Sequence, residues 1–360
     1  MLHCLRSVFL LVAAAGAALS LSNTKPSTLS SGTLPIGNGN YMFYTDTGAP
    51  PGKSPYTTLF LIHGMSFNSG IFQKTKSDIL RIVSVNRRGY IGSSPYTNTE
   101  FNVITNGTSA ARQAFLADRG VELAVFIDNF LQQKKITQGK VSISGWSVGN
   151  IFSLATLSSV NSWPVAIKAR LAPRIQSVIM QEPSAEILGF ASNPNNWIPL
   201  IDTSIPASTR NPMTVQWISH YFKQGNFAVN PNAITWVVPS LSRVPSLFNM
   251  SPSEYNSIVD IGKATDGDFT LLINFKSQLH DSYRQVIFGS TVQKAFPTLK
   301  RSLFTGDSSV SFGPYAYYLV KNDTGAINDK SVTFRIVPGV NHFINWDDPK
   351  IASEVYAQLV

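Results

Sequence analysis

The apolar positions of this chain follow two patterns, which alternate along much of its length. Short apolar runs bounded by turn residues predict buried β-strands, and stretches with helical spacing of apolar residues predict α-helices. The predicted strands are residues 41–45, 57–62, 79–86, 141–144, 175–182, 299–306 and 331–338. The predicted helices are residues 114–135, a helix that begins just after residue 149, and residues 349–360. Strands alternating with helices predict a mostly parallel central sheet flanked by helices, an α/β fold.

The alternation stops between residues 184 and 296. This stretch contains no strong strand pattern, has joints rich in Pro and Asn, and carries aromatic helical pieces. More than a hundred residues is too long for a loop, so we predict a helical cap inserted into the α/β domain. Its predicted helices are residues 214–222, 253–263 and 269–292. The core is then divided into a first part, residues 40–183, and a second part, residues 297–360.

The N-terminal segment has the pattern of a secretory signal peptide over residues 1–20. Arg6 precedes an apolar run at residues 8–19 that is too short for a comfortable membrane span. Small residues fit cleavage near Ser20, so we expect a secreted, extracellular protein without a stable membrane anchor; an uncleaved anchor is the alternative. Residues 21–39, rich in Ser, Thr, Pro and Gly, predict a linker.

Composition and charge add limits to this picture. The chain has 360 residues and a formal net charge of +9, but only 14% of its residues are charged and the basic ones are scattered. We therefore expect no nucleic-acid partner. The single cysteine, Cys4, lies in the predicted signal peptide, so the mature chain would have no disulfide. Sequons at Asn106, Asn249 and Asn322 fit a secreted glycoprotein.

The candidate nucleophile is Ser147, in the pentapeptide Gly-Trp-Ser-Val-Gly at residues 145–149. A strand pattern leads into this motif and a helix pattern follows it, which is the context of a nucleophile elbow. Such a turn is so sharp that the flanking residues must lack bulk, which explains Gly145 and Gly149. An ordinary Gly-rich strand-to-helix turn is the alternative.

A serine nucleophile needs a general base, usually His, and an acid that orients it. The mature chain has four histidines, and His342 follows the last predicted strand, so the chain order is Ser, acid, His. We predict His342 as the base. His63 is expected to bond to backbone near a turn, and His220 and His280 are expected to pack in the cap or face solvent.

Four motifs together resemble the α/β-hydrolase family over about residues 57–360. They are His-Gly-Met at 63–65, Arg-Gly-Tyr-x-Gly-Ser at 88–93, the elbow, and Gly-Val-Asn-His at 339–342. The resemblance implies an oxyanion hole formed by the backbone N–H groups of Met65 and Val148. Family members such as epoxide hydrolases and haloalkane dehalogenases use Asp at the elbow, so Ser147 argues against those reactions.

The acid is left open by the sequence. Many family members place an Asp three residues after the Gly that closes the strand following the cap, but here that position is Ser309. Asp307 lies in the same loop but arrives earlier. Glu182 ends the strand after the elbow helix, and some branches, certain haloalkane dehalogenases among them, place their acid there. We therefore predict Glu182 as the acid, with Asp307 as the alternative. Either carboxylate also has an ordinary role, Glu182 as a capping residue and Asp307 as a turn residue.

The sequence thus predicts a serine hydrolase that cleaves an ester or similar acyl bond in a small, apolar acyl substrate. Trp146, Trp217 and Phe222 are tentative pocket residues, although packing the cap onto the sheet explains such aromatics equally well. No metal-ligand or phosphate-binding motif is present, so no metal and no cofactor are expected. The alternatives are a serine peptidase such as an aminopeptidase, a C–C bond hydrolase, and a non-catalytic ligand-binding protein on the same fold.

Overall fold

A computed structural model describes residues 29–326 and 331–360, and the predicted signal peptide lies outside these residues. The described chain forms one eight-stranded sheet with the order β1-β2-β4-β3-β5-β6-β7-β8. Strands β3 to β8 are parallel, and β1 and β2 add an antiparallel edge. The strands are β1 Ser30–Gly37, β2 Asn40–Asp46, β3 Thr57–Ile62, β4 Leu80–Val85, β5 Val141–Trp146, β6 Ile175–Gln181, β7 Lys300–Gly306 and β8 Val332–Val337. The predicted mostly parallel sheet is confirmed.

Helices cover both faces of this sheet. They are α1 Asn98–Asn106, α2 Ser109–Gln133, α3 Gly149–Ser158, α4 Val165–Leu171, α5 Ala207–Ile218, α6 Pro252–Ile258, α7 Lys263–Asn274, α8 Lys276–Phe288, α9 Ser290–Ala295, α10 Phe312–Ala326, α11 Ile344–Asp347 and α12 Pro349–Leu359. Alternate residues of β3 enter different cores: Phe60 and Ile62 pack on one face, Leu59 and Leu61 on the other. Because side chains alternate along a strand, this continuous apolar run fills a core on each side of the sheet.

The linker predicted over residues 21–39 is wrong from Ser30 onward, where β1 pairs with β2. Asn38 and Gly39 have φ of 52° and 73°, as a two-residue hairpin turn requires. Leu34 and Ile36 alternate into the core beneath the hairpin. The Asn-Gly pair and this short alternation were the local signals for the hairpin, hidden by a Ser- and Gly-rich composition.

The stretch between β6 and β7 is helical, with two isolated β-bridges and no longer strand among its residues. The helix predicted over residues 269–292 is divided into α7, α8 and α9 by breaks at Phe275 and Gly289. Helix α8 packs against α3, and its apolar face joins the main core. The separate cap over residues 184–296 stays a prediction. Nowhere in the part of the chain that the structure describes is a helix long and apolar enough to cross a membrane.

Candidate active site

Ser147 lies on a sharp turn between β5 and α3. Its backbone has φ of 52°, a left-handed conformation that costs a non-glycine residue energy and is common at functional sites. A Cβ at Gly145 would lie 2.5 Å from the Asn150 backbone N, and a Cβ at Gly149 would collide with the Ile62 carbonyl oxygen. The two glycines are therefore needed for this turn. The Ser147 N–H donates to the Gln181 carbonyl at 3.0 Å, which ties the turn to β6.

An apolar cavity of ≈ 300 Å³ opens above this turn, with Ser147 in its lining. Met65 and Val148, the candidate oxyanion residues, also line the cavity. The remaining wall comes mostly from the stretch between β6 and β7 and is rich in aliphatic and aromatic side chains. Examples are Ile187, Phe190, Ile198, Val215, Phe269 and Leu272. Two charged residues, Glu186 and Lys276, complete the lining.

His342 is buried in the loop between β8 and α11. Its Nδ1 lies 3.3 Å from Oε2 of Glu182, and both side chains are 1% exposed. The imidazole contacts the ring of Phe312, at a centroid distance of 4.9 Å, and Phe312 lines the cavity. On another side the imidazole contacts Trp146, whose indole N–H donates to the His342 carbonyl at 2.9 Å. The ring is thus held between a carboxylate and two aromatic side chains.

Glu182 follows β6 with φ of 51°, a second left-handed residue beside Ser147. Its Oε1 accepts hydrogen bonds from the Gly306 N–H at 2.5 Å and the Thr305 hydroxyl at 2.8 Å. Its Oε2 accepts one from the Ser309 hydroxyl at 2.5 Å. A Cβ at Gly313 would collide with the same oxygen, so the glycine leaves room for the carboxylate. Glu182 is therefore buried with every oxygen bonded.

Asp307 has a different role in this structure. Its Oδ1 accepts hydrogen bonds from the Gly339 N–H at 2.7 Å and the Ser308 hydroxyl at 3.1 Å. These bonds join the loop after β7 to the turn after β8. Among the described residues, His342 forms its carboxylate contact with Glu182 and none with Asp307. Of the two acids that the sequence left open, the structure brings Glu182 to the histidine.

The loop that carries Met65 presses against the elbow. A Cβ at Gly64 would lie 2.9 Å from the Ser147 Cβ, so a larger residue at position 64 would separate this loop from the elbow. In the described part of the chain, neither the Met65 N–H nor the Val148 N–H donates to another backbone group. Two unpaired backbone donors beside a serine hydroxyl are suited to a developing negative charge.

His63 is buried behind that loop and bonds to backbone on both ring nitrogens. The Arg87 N–H donates to Nε2 at 3.0 Å, so Nε2 is the acceptor and Nδ1 carries the proton donated to the Gly64 carbonyl at 2.8 Å. Burial, helped by the positive charge of Arg87, holds the pKa of His63 well below its usual value. A neutral His63 matches the backbone-bonding role expected from the sequence. His220 and His280 bond and pack within the stretch between β6 and β7.

The three tentative pocket residues do not line the cavity. Trp146 is absent from the cavity lining; it lies in the core that contains Leu59 and Leu61 and packs against Phe67, with ring centroids 5.6 Å apart. Trp217 and Phe222 pack against each other in a small cluster that also contains Phe312. Sequence reasoning favoured the largest side chains, whereas much of the wall is built from Ile, Leu and Val, some on the short turns around residues 186–201 and some on α5 and α7.

At the level of sequence, no family model matches this chain and no curated protein is detectably similar to it. Solved structures are similar over almost its whole length. A laboratory-evolved variant of potato epoxide hydrolase has a TM-score of 0.53 at 11% identity, covering 92% of this chain and 98% of its own. Est816, described as an N-acyl homoserine lactone degrading enzyme, has a TM-score of 0.51 at 12% identity, covering 91% of this chain and 100% of its own. At such identities these likenesses establish the fold alone.

Proposed function

This chain has the α/β-hydrolase fold, and on it we propose a serine hydrolase that cleaves an ester or similar acyl bond. The observation that carries the proposal is the buried His342–Glu182 pair beside an apolar cavity that has Ser147 in its lining. A histidine oriented by a carboxylate is the group that a serine hydroxyl needs to become a nucleophile.

In the proposed reaction, the Ser147 hydroxyl attacks the acyl carbonyl while Nε2 of His342 takes its proton. Glu182 accepts the Nδ1–H, which orients the imidazole and stabilises the imidazolium that forms. The Met65 and Val148 N–H groups stabilise the oxyanion of the tetrahedral intermediate. The imidazolium then gives its proton to the leaving alcohol. A water molecule, activated by the same histidine, hydrolyses the acyl-enzyme.

The cavity supports an apolar acyl group as the part of the substrate that is bound. Its volume of ≈ 300 Å³ is that of a small-ligand site, and its wall is mostly aliphatic and aromatic. An ester is the default because its leaving group needs the least activation. The proposed setting is extracellular, since residues 1–20 have the signal-peptide pattern.

A serine aminopeptidase is the second candidate, favoured by Glu186. This residue is the carboxylate of the stretch between β6 and β7 that lines the cavity, where a substrate amine would need an acid. A panel of p-nitrophenyl esters and aminoacyl p-nitroanilides separates the two. Faster turnover of the anilides, lost in Glu186→Gln, would favour the aminopeptidase.

The test of the main proposal is covalent labelling of Ser147. We expect a fluorophosphonate to label the wild-type protein once, and short p-nitrophenyl esters to be hydrolysed. In Ser147→Ala labelling should vanish and kcat should fall by about 10³-fold or more. Labelling and turnover that survive this substitution would refute the assignment. A wild-type protein that binds apolar ligands tightly but is never labelled would instead be a non-catalytic binding protein.

A further inference from the structure

A buried ion pair lies directly under the loop formed by residues 63–66, here called the oxyanion loop. Arg87 follows β4 and its guanidinium donates to both carboxylate oxygens of Asp268 in α7, at 2.9 and 2.6 Å. Both side chains are 3% exposed. The same guanidinium donates from Nε to the His63 carbonyl at 3.0 Å and from Nη2 to the Gly64 carbonyl at 3.1 Å. One side chain thus holds two successive carbonyl groups of the oxyanion loop.

The Gly64 carbonyl is the important one, because it belongs to the same peptide group as the Met65 N–H. A trans peptide is planar, so its C=O and N–H point in opposite directions. Arg87 and the His63 Nδ1–H both bond to the Gly64 oxygen. Fixing this oxygen from below therefore aims the Met65 N–H away from Arg87, toward the cavity that Met65 lines.

Arg87 is itself held in one orientation. Its guanidinium lies over the rings of Tyr90 at 4.6 Å and Phe152 at 4.5 Å. The Tyr90 hydroxyl donates to Asp268 at 2.6 Å and accepts from the Ser66 N–H at 3.3 Å, which adds a third tie to the oxyanion loop. The planar fork of an arginine has five donors and suits such a role, which a lysine ammonium cannot fill.

Stability alone is a weak explanation for this pair. Burying two charges costs desolvation energy, and an apolar pair of similar volume is often equally stable. Asp268 also connects the oxyanion loop to the cavity wall, since the next residue in α7, Phe269, and Leu272 both line the cavity. The pair therefore joins the wall that would contact an acyl group to the peptide that would bind its oxyanion.

We propose that Arg87 and Asp268 are positioning residues that aim the Met65 N–H at the oxyanion. This inference rests on the proposed serine hydrolase, and it assigns the pair a role in turnover beyond folding. Neither residue touches the substrate. Their loss should lower kcat and leave KM nearly unchanged, because the oxyanion exists only after the attack.

The experiment compares two double substitutions. Arg87→Met with Asp268→Leu replaces the pair by apolar side chains, which avoids an unpaired buried charge that would prevent folding. The matched control is Arg81→Met with Asp46→Leu. Arg81 and Asp46 also form a two-bonded pair, with side-chain exposures of 9% and 1%, but they lie at the opposite end of β4. Thermal unfolding and circular dichroism are to be measured on both variants, to establish that each is folded before its kinetics are compared.

We expect kcat of Arg87→Met/Asp268→Leu to fall by roughly tenfold to 10²-fold, with KM within about threefold of wild type. A misoriented oxyanion donor weakens the stabilisation of the transition state and leaves substrate binding unchanged. Fluorophosphonate labelling should slow by a similar factor, and the control variant should match wild type in both measurements. Arg87→Lys keeps the charge but not the fork, and should also lose kcat. Folded Arg87→Met/Asp268→Leu protein with wild-type kcat would overturn the inference. An inactive, unlabelled wild-type protein would instead refute the proposed function.

Discussion

The loops that follow β6 and β7 lie side by side, and each presents a carboxylate near the end of its strand. Glu182, after β6, turns inward with φ of 51° and is 1% exposed. Asp307, after β7, stays half-buried and bonds to the Gly339 N–H. The end of β7 and the loop after it nevertheless act on the histidine indirectly, because Thr305, Gly306 and Ser309 all donate to Glu182. One loop supplies the charge and its neighbour supplies the donors that hold it.

Removing each charge in turn tests this division most strongly. Glu182→Gln should lower kcat by about 10³- to 10⁴-fold, because an amide cannot stabilise the imidazolium as a carboxylate does. Asp307→Asn should change kcat by less than about threefold, since its bonds lie within the turn. Steady-state kinetics on a p-nitrophenyl ester measures both. If Asp307→Asn were the more damaging change, the assignment of Glu182 would be wrong.

A smaller effect is expected when the acid is moved from one loop to the other. Glu182→Ala combined with Ser309→Asp should recover kcat about tenfold over Glu182→Ala alone, because the Ser309 hydroxyl lies 2.5 Å from the oxygen that contacts His342. Recovery should be partial, because an aspartate at position 309 is shorter than the glutamate at position 182. The hydrogen-bond donors that hold Glu182 in the wild-type protein are also not positioned for a carboxylate at 309. Glu182→Ala with Ser309→Asn is the control. Equal rates for the two double variants would show that the β7 loop cannot present the acid.

The smallest expected effect comes from the donor itself. Ser309→Ala removes a hydrogen bond to the carboxylate without removing the charge, so kcat should fall by a few-fold, about threefold to tenfold, with KM unchanged. Ser309→Thr keeps the hydroxyl and should recover most of the loss if the buried site accepts the methyl group. A lower thermal unfolding temperature without any change in kcat would show that Ser309 has a structural role only.

The sequence predicted the parts of this molecule that local geometry dictates. The elbow was recognisable because a turn this tight requires Gly145 and Gly149, and the structure shows what a Cβ at either position would strike. The parallel strands were recognisable because a strand buried on both faces is a continuous apolar run. Strand β2 was predicted at residues 41–45, but β1 and its pairing with β2 were missed because polar composition concealed Leu34 and Ile36.

The choice of acid could not be made from sequence, because spacing gives the position of a residue but not the direction of its side chain. Ser309 stands where the family resemblance placed an aspartate, and its hydroxyl reaches the glutamate of the next loop. The cavity wall was mispredicted for a related reason. Trp146 adjoins Ser147 in the chain, yet neighbouring residues near a strand end face opposite ways, and the indole enters the core.

Gly313 near the start of α10 links the size of one side chain to the identity of another. A Cβ there would collide with Oε2 of Glu182, so the longer acid fits only where position 313 has no side chain. An aspartate at position 182 would end one methylene earlier and relieve this collision, which leaves the Thr305 hydroxyl oxygen, 2.9 Å from such a Cβ, as the remaining close contact. In the evolutionary record of this protein, positions 182 and 313 should therefore change together: glycine at 313 wherever 182 is glutamate, and larger residues tolerated only where the acid is shorter or has moved elsewhere.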